Sequence, residues 1–152
     1  MKKDFTRDYT TEIFRLYAAM GKPTYERAQS DIYETELLRR SDLNPQTAIA
    51  QAERAVENAT PLLLDVMAAE RTIELLERGN KSHIVSAVSA VYFADPKSPL
   101  RRGDISARVH HFSLMCPTDE RTVYRWLKEA RLLCAAIRGL RISATDMQKY
   151  RL

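Results

Sequence analysis

Residues 117–133 read PTDERTVYRWLKEARLL, and the reading of the fold turns on what the two sides of this stretch are for. From Val123 the apolar residues fall at Val123, Leu127, Ala130, Cys134 and Ile137, in steps of 4, 3, 4 and 3, with Trp126, Leu133 and Leu140 beside them. That spacing predicts an α-helix with one buried side. Thr118 is read as its N-cap, Asp119 and Glu120 complement the positive end of the helix dipole, and Arg138 followed by Gly139 supplies the finish. The outward side carries Arg121, Thr122, Tyr124, Arg125, Lys128 and Arg131, interrupted only by Glu129. Arginine reaches guanine edges or phosphates in bidentate fashion, lysine acts as a point charge on phosphate, and tyrosine packs on sugar or thymine.

Working outward, apolar positions recur at three- and four-residue steps through most of the chain, and no segment sustains period-two alternation. The fold class is therefore expected to be all-α, with about seven helices. The first carries Ile13, Tyr17 and Met20 on one face, flanked by Phe14 and Leu16, and stops at Gly21 and Pro23. Thr24 caps a second, strongly charged helix over residues 25–39 with a narrow inward stripe of Ala28, Ile32 and Leu37. Asn44–Pro45 and Thr60–Pro61 share one form: a side-chain oxygen caps the orphan amides, and proline takes the first helical position. The helix from Asn44 groups Ala48, Ile49, Ala52 and Val56. The next runs to Gly79 and Asn80, with Leu63, Val66, Met67, Ile73 and Leu76 inward. SHIVSAVSAVYFA, residues 82–94, has side chains small enough for close helix contact and is expected at the centre.

One stretch breaks the helical period decisively: DPKSPLRRG, residues 95–103. The charge balance changes there as well. Residues 1–96 hold 12 Lys and Arg against 15 Asp and Glu, whereas residues 97–152 hold 12 against 5. This divides the chain into a helical body over 1–96, for oligomerisation or partner contact, and a basic module over 97–152. A basic excess of seven points to a polyanion, since phosphate neutralisation supplies most non-specific affinity for DNA; a solvated basic face is the plainer alternative. Beyond the linker, Asp104 caps a helix through Ile105, Val109, Phe112 and Met115, and CPT makes the turn into the opening stretch.

Two helices joined by so short a turn fit a helix-turn-helix, which needs inward apolar locks and a small residue near the turn. Phe112 and Cys116 supply the inward positions, Ser113 the small one and Trp126 the distal core position, with Pro117 where glycine is more usual. A plain helical hairpin would bury Val123, Trp126 and Leu127 just as well. The run TDERTVYRWLKEARLLCAAIRGLR, residues 118–141, resembles the second half of the DNA-binding domain in sigma-factor region 4 and in related phage regulators. Thr118 matches the cap, Thr122 and Val123 the TV pair, and Ala130 and Leu133 the Ala-x-x-Leu continuation. The chain is similar to phage and mobile-element late-transcription activators of the ArpU/RinA type. The resemblance covers about the last third of the chain, and residues 1–96 resemble no sigma region.

The expected function is that of a sequence-specific, non-enzymatic DNA-binding transcriptional regulator. Arg101, Arg102, Arg108 and Lys128 would hold phosphates, while Arg121, Tyr124 and Arg125 would face bases, with Thr122 and Arg131 on the same face. Double-stranded DNA is the expected partner, with RNA polymerase and a second copy of the chain as further ones. A small terminase subunit for phage DNA packaging and a helical protein-binding adaptor are the alternatives. P-loop, Rossmann, GxSxG and HExxH patterns are absent, and neither cofactor nor metal is expected. His110 and His111 point about 100° apart on a helix, and no fourth ligand has finger-like spacing to join them and Cys116. Glu70, Glu74 and Glu77 read as a solvated acidic edge. Two isolated cysteines, short apolar runs such as PLLL, and no apolar stretch after MKKDFTRDYTTE suggest a cytoplasmic, soluble protein.

Overall fold

The structure, a computed structural model, describes residues 4–140; the tail at 142–152, to which the sequence assigned no role, lies outside them. Seven helices follow one another: α1 (Phe5–Ala19), α2 (Tyr25–Arg39), α3 (Pro45–Asn58), α4 (Thr60–Arg78), α5 (Ser82–Val91), α6 (Asp104–Met115) and α7 (Glu120–Arg138). Among the described residues there is no strand, so the all-α expectation holds. No helix among them is long and apolar enough to cross a membrane.

The helix ends show which local signals govern. Thr24 accepts from the Arg27 amide, and Asn44 accepts from the amides of Gln46 and Thr47, as read from sequence. Three other caps differ. Thr60 is the first residue of α4, and its hydroxyl donates back to the Glu57 carbonyl at 2.7 Å, because α3 and α4 are separated by Ala59 alone. Asp104 is likewise inside α6, and its carboxylate accepts from the Arg101 amide at 2.7 Å, leaving Gly103 at φ 89° in the cap position. Asp119, not Thr118, caps α7. Gly139 takes φ 82°, which lets the Leu140 amide close on the Ala135 carbonyl at 2.8 Å and finish α7 as expected.

Packing centres on α4 and α7, with the buried α5 lying against α4, α6 and α7. α7 lies against α4 and α5, with further contact to α1 and α6, while α2 and α3 pack chiefly on each other. A single apolar cluster runs from Ile13 and Phe14 through Val66, Ala69, Ile84 and Val88 to Val123, Leu127 and Cys134. Residues on both sides of the 95–103 stretch thus share one core. Alanines at 68, 69, 87 and 130 are fully buried and let helix backbones approach closely. Phe14 stacks on Tyr92 with ring centroids 5.8 Å apart, and Phe93 packs tilted against Phe14 and Tyr17. Three residues assigned inward are instead on the surface: Ile49, Met67 and Met115. Met115 ends α6, where the chain turns away from the core.

The 95–103 stretch is held by a buried charge. Arg15 is 4% exposed. Its Nη1 donates to the carbonyls of Tyr92 and Ala94 at 3.4 and 3.3 Å, and its Nη2 to those of Asp95, at 3.0 Å, and Ser98. Asp95 takes φ 48° within this curl. Helix α5 ends at Val91, short of the expected Ala94, and the chain wraps the guanidinium instead.

Two outcomes follow from this packing. Arg15→Met should lower unfolding free energy by about 2–4 kcal/mol in urea titration, because it strands buried carbonyls; Arg27→Met, which removes an exposed pair with Asp31, should cost less than about 1 kcal/mol. Burial pushes the Cys134 thiol up to about 12, against a smaller opposing effect of its hydrogen bond with Thr72. Native protein at pH 8 should therefore show rapid reaction of one thiol, the half-buried Cys116, with a disulfide reagent, and two after denaturation.

Candidate nucleic-acid interface

α6 and α7 are joined by Cys116, Pro117, Thr118 and Asp119. Val109, Phe112 and Ser113 of α6 and Val123, Leu127 and Ala130 of α7 are buried. The Ser113 hydroxyl donates to the His110 carbonyl at 2.6 Å, and its own carbonyl accepts from the Thr118 amide across the turn at 3.4 Å. Phe112 and Ser113 are thus both inward, as a helix-turn-helix and a plain helical hairpin alike would require. Cys116 and Trp126 are half-buried, and Trp126 meets the edge of His83 with centroids 4.7 Å apart.

The start of α7 uses its acids internally. The Asp119 carboxylate accepts from the Thr122 amide at 2.7 Å. Hydrogen bonds from the Thr122 hydroxyl and amide, then the charges of Arg125 and Arg121, hold the Asp119 carboxyl below the usual aspartate range. Glu120 lies 3.0 Å from His110 Nδ1. Both acids thus have partners within the fold.

The nine residues expected to face DNA separate into two groups. Arg101, Arg102, Arg121, Tyr124, Arg125 and Lys128 are exposed. Tyr124 and Leu100 line the same groove, and Arg101 and Arg102 follow Leu100 in the chain. The other three are engaged within the fold. Thr122 belongs to the Asp119 cap. Arg108 donates through Nη1 to the Val91 carbonyl at 2.9 Å, since α6 crosses the C-terminal end of α5. Arg131 donates to the Tyr92 hydroxyl at 2.7 Å.

Several contacts that shape the site carry no local sequence signal. Lys81 pairs with Glu129 at 3.2 Å and pins the middle of α7 to the start of α5. Arg138 pairs with Asp65 at 2.7 Å, and the Tyr9 hydroxyl donates to the same carboxylate. Glu70, read as part of an acidic edge, accepts from the Tyr25 amide at 2.6 Å and serves α2 from across the core. Glu74 does behave as surface charge, bridging Arg71 and Arg78. Among the described residues no three His, Cys, Asp or Glu side chains are grouped as metal ligands.

Comparison with models of protein families, with curated proteins and with solved structures gives no match.

A depressed carboxyl contributes stability that is present above the unfolded aspartate value and lost as pH falls through the folded one. The Thr122 amide resonance should therefore titrate with a midpoint below that of an unstructured aspartate, and the start of α7 should loosen on acidification through that window. Asp119→Ala should flatten the titration; an unchanged curve would assign it to another group.

Proposed function

We propose that the chain is a sequence-specific regulator of transcription that binds double-stranded DNA and acts without catalysis. α6, the turn and α7 form its helix-turn-helix, and α7 is the reading helix. One observation carries this: Arg121, Tyr124, Arg125 and Lys128 all stay exposed along the first half of a helix whose opposite side is locked into the core. None of the three cations has a carboxylate within ion-pair distance among the described residues. Fixed, unspent donors on a rigid rod are what direct base readout requires. Arg121, Tyr124 and Arg125 read base edges in the major groove; Lys128, Arg101 and Arg102 hold phosphates. Arg108 and Arg131 act as struts.

The resemblance to sigma region 4 and to phage activators of the ArpU/RinA type is compatible with this reading. It suggests an N-terminal body that contacts RNA polymerase or a second copy of the chain in the cytoplasm.

Selection from a random duplex library tests the proposal. An enriched motif should emerge, and Arg125→Ala should weaken binding to it by about 1–3 kcal/mol, roughly 5- to 150-fold, with relaxed preference at one position. Lys128→Ala should weaken all sequences alike and reduce the salt slope by about one unit. Retention on heparin with no motif and no shifted duplex would overturn DNA reading in favour of an adaptor for acidic proteins. A ring of many copies in solution would favour packaging.

A further inference from the structure

A groove of about 400 Å³ opens between α1 and α7, beside the proposed DNA face. Its floor is apolar, built from Tyr92, Leu100, Ile105 and Leu127, and its size and lining fall in the range of small-molecule sites. Four charged side chains line it: Arg7, Asp8, Glu12 and Arg131. Arg7 and Asp8 pair with each other at 3.5 Å and cancel at the rim.

The remaining two charges are opposite in sign and unmatched. Half-buried Arg131 has the neutral Tyr92 hydroxyl as its polar partner, and among the described residues no carboxylate lies within ion-pair distance of it. Exposed Glu12 has no cation within that distance among them. They do not pair with each other either, so more than 4.0 Å separates guanidinium from carboxylate across the groove. A half-buried cation facing a phenol is electrostatically incomplete, because a hydroxyl dipole offsets less of its desolvation than a carboxylate does. Phosphate or any dianion is a poor complement, since the unpaired Glu12 would repel its second charge.

We propose that this groove binds a free amino acid with an apolar or aromatic side chain, its carboxylate on Arg131, its ammonium on Glu12 and its side chain on the half-buried Leu100 and Ile105. A zwitterion offers a carboxylate to Arg131 and an ammonium to Glu12, and its net neutrality suits a lining with two cations and two anions. The inference does not depend on DNA binding, although Tyr124 belongs to both surfaces.

The test uses the full chain without DNA, with L-phenylalanine and L-leucine as probes, followed by calorimetry and ligand-observed NMR. At least one should bind with a millimolar or tighter Kd. L-phenylalaninamide, which lacks the carboxylate, and 3-phenylpropionate, which lacks the ammonium, should bind at least about tenfold more weakly than L-phenylalanine, if that is the probe that binds; for leucine the matching pair is L-leucinamide and 4-methylpentanoate. Arg131→Gln should lose at least about tenfold in affinity. Because that change also removes the bond to Tyr92, Glu12→Gln, on the exposed rim, should show a similar loss with an unchanged thermal melt. No binding of either probe, or equal binding by the truncated analogues or by both variants, would overturn the site.

Discussion

A guanidinium taken out of water needs acceptors on every side, and Arg15 obtains them from backbone alone. Four carbonyls between Tyr92 and Ser98 surround it, and among the described residues no carboxylate lies within ion-pair distance of it. The C-terminal end of α5 contributes as well, because its last carbonyls carry the negative pole of the helix. The exchange is mutual: the charge is solvated by dipoles, and carbonyls that leave the helix at Val91 are satisfied by the charge. A chain that contains two prolines and a glycine over 95–103, and that would otherwise be a free joint, is thereby bent to one path. The position of α6, and through it the turn into α7, depends on that path.

The same end of α5 collects two more arginines. Arg108 reaches the Val91 carbonyl from α6, and Arg131 reaches the Tyr92 hydroxyl from α7. Three helices distant in sequence each direct a cation at a few consecutive residues. This concentration explains why the basic excess after residue 96 overstates what the surface offers a polyanion. Arg138 is also committed, to Asp65. The cations left exposed on the two C-terminal helices and the segment before them are a subset: Lys97, Arg101, Arg102, Arg121, Arg125 and Lys128.

The parts of the fold legible in the sequence are those set by neighbours in the chain. Proline, glycine and side-chain oxygens at Thr24, Asn44 and Gly139 act over two to five residues, so the helices and most of their limits could be read directly. Thr118 and Asp119 each offer an oxygen at adjacent positions, and spacing alone does not decide between them; in the fold Asp119 takes the cap and accepts from the Thr122 amide. Arg15, by contrast, joins groups 77 to 83 residues away, and its partners are peptide carbonyls that every residue possesses. Spacing carries no trace of such a contact. Glu70 has the same character, since it caps a helix 45 residues earlier. The outward residues of α7 were legible as a face, but which of them stay free depends on Tyr92, a residue whose register follows from where α5 stops.

A structural role for α7 and the reading role proposed for it are therefore compatible. Its second half is held by Ala130, Cys134 and Ala135 in the core and by Arg138 on Asp65; its first half is fixed by the Asp119 cap and by Lys81 on Glu129. A helix so anchored has already lost the backbone freedom that a ligand would otherwise have to remove on binding. The side chains of Arg121 and Arg125 retain their own rotamer entropy, yet their Cα atoms are set in a fixed frame. Burial of one side of the rod is thus the condition for using the other: without Val123 and Leu127 in the core, the cations would be a mobile charge cloud with affinity for any polyanion and preference for none.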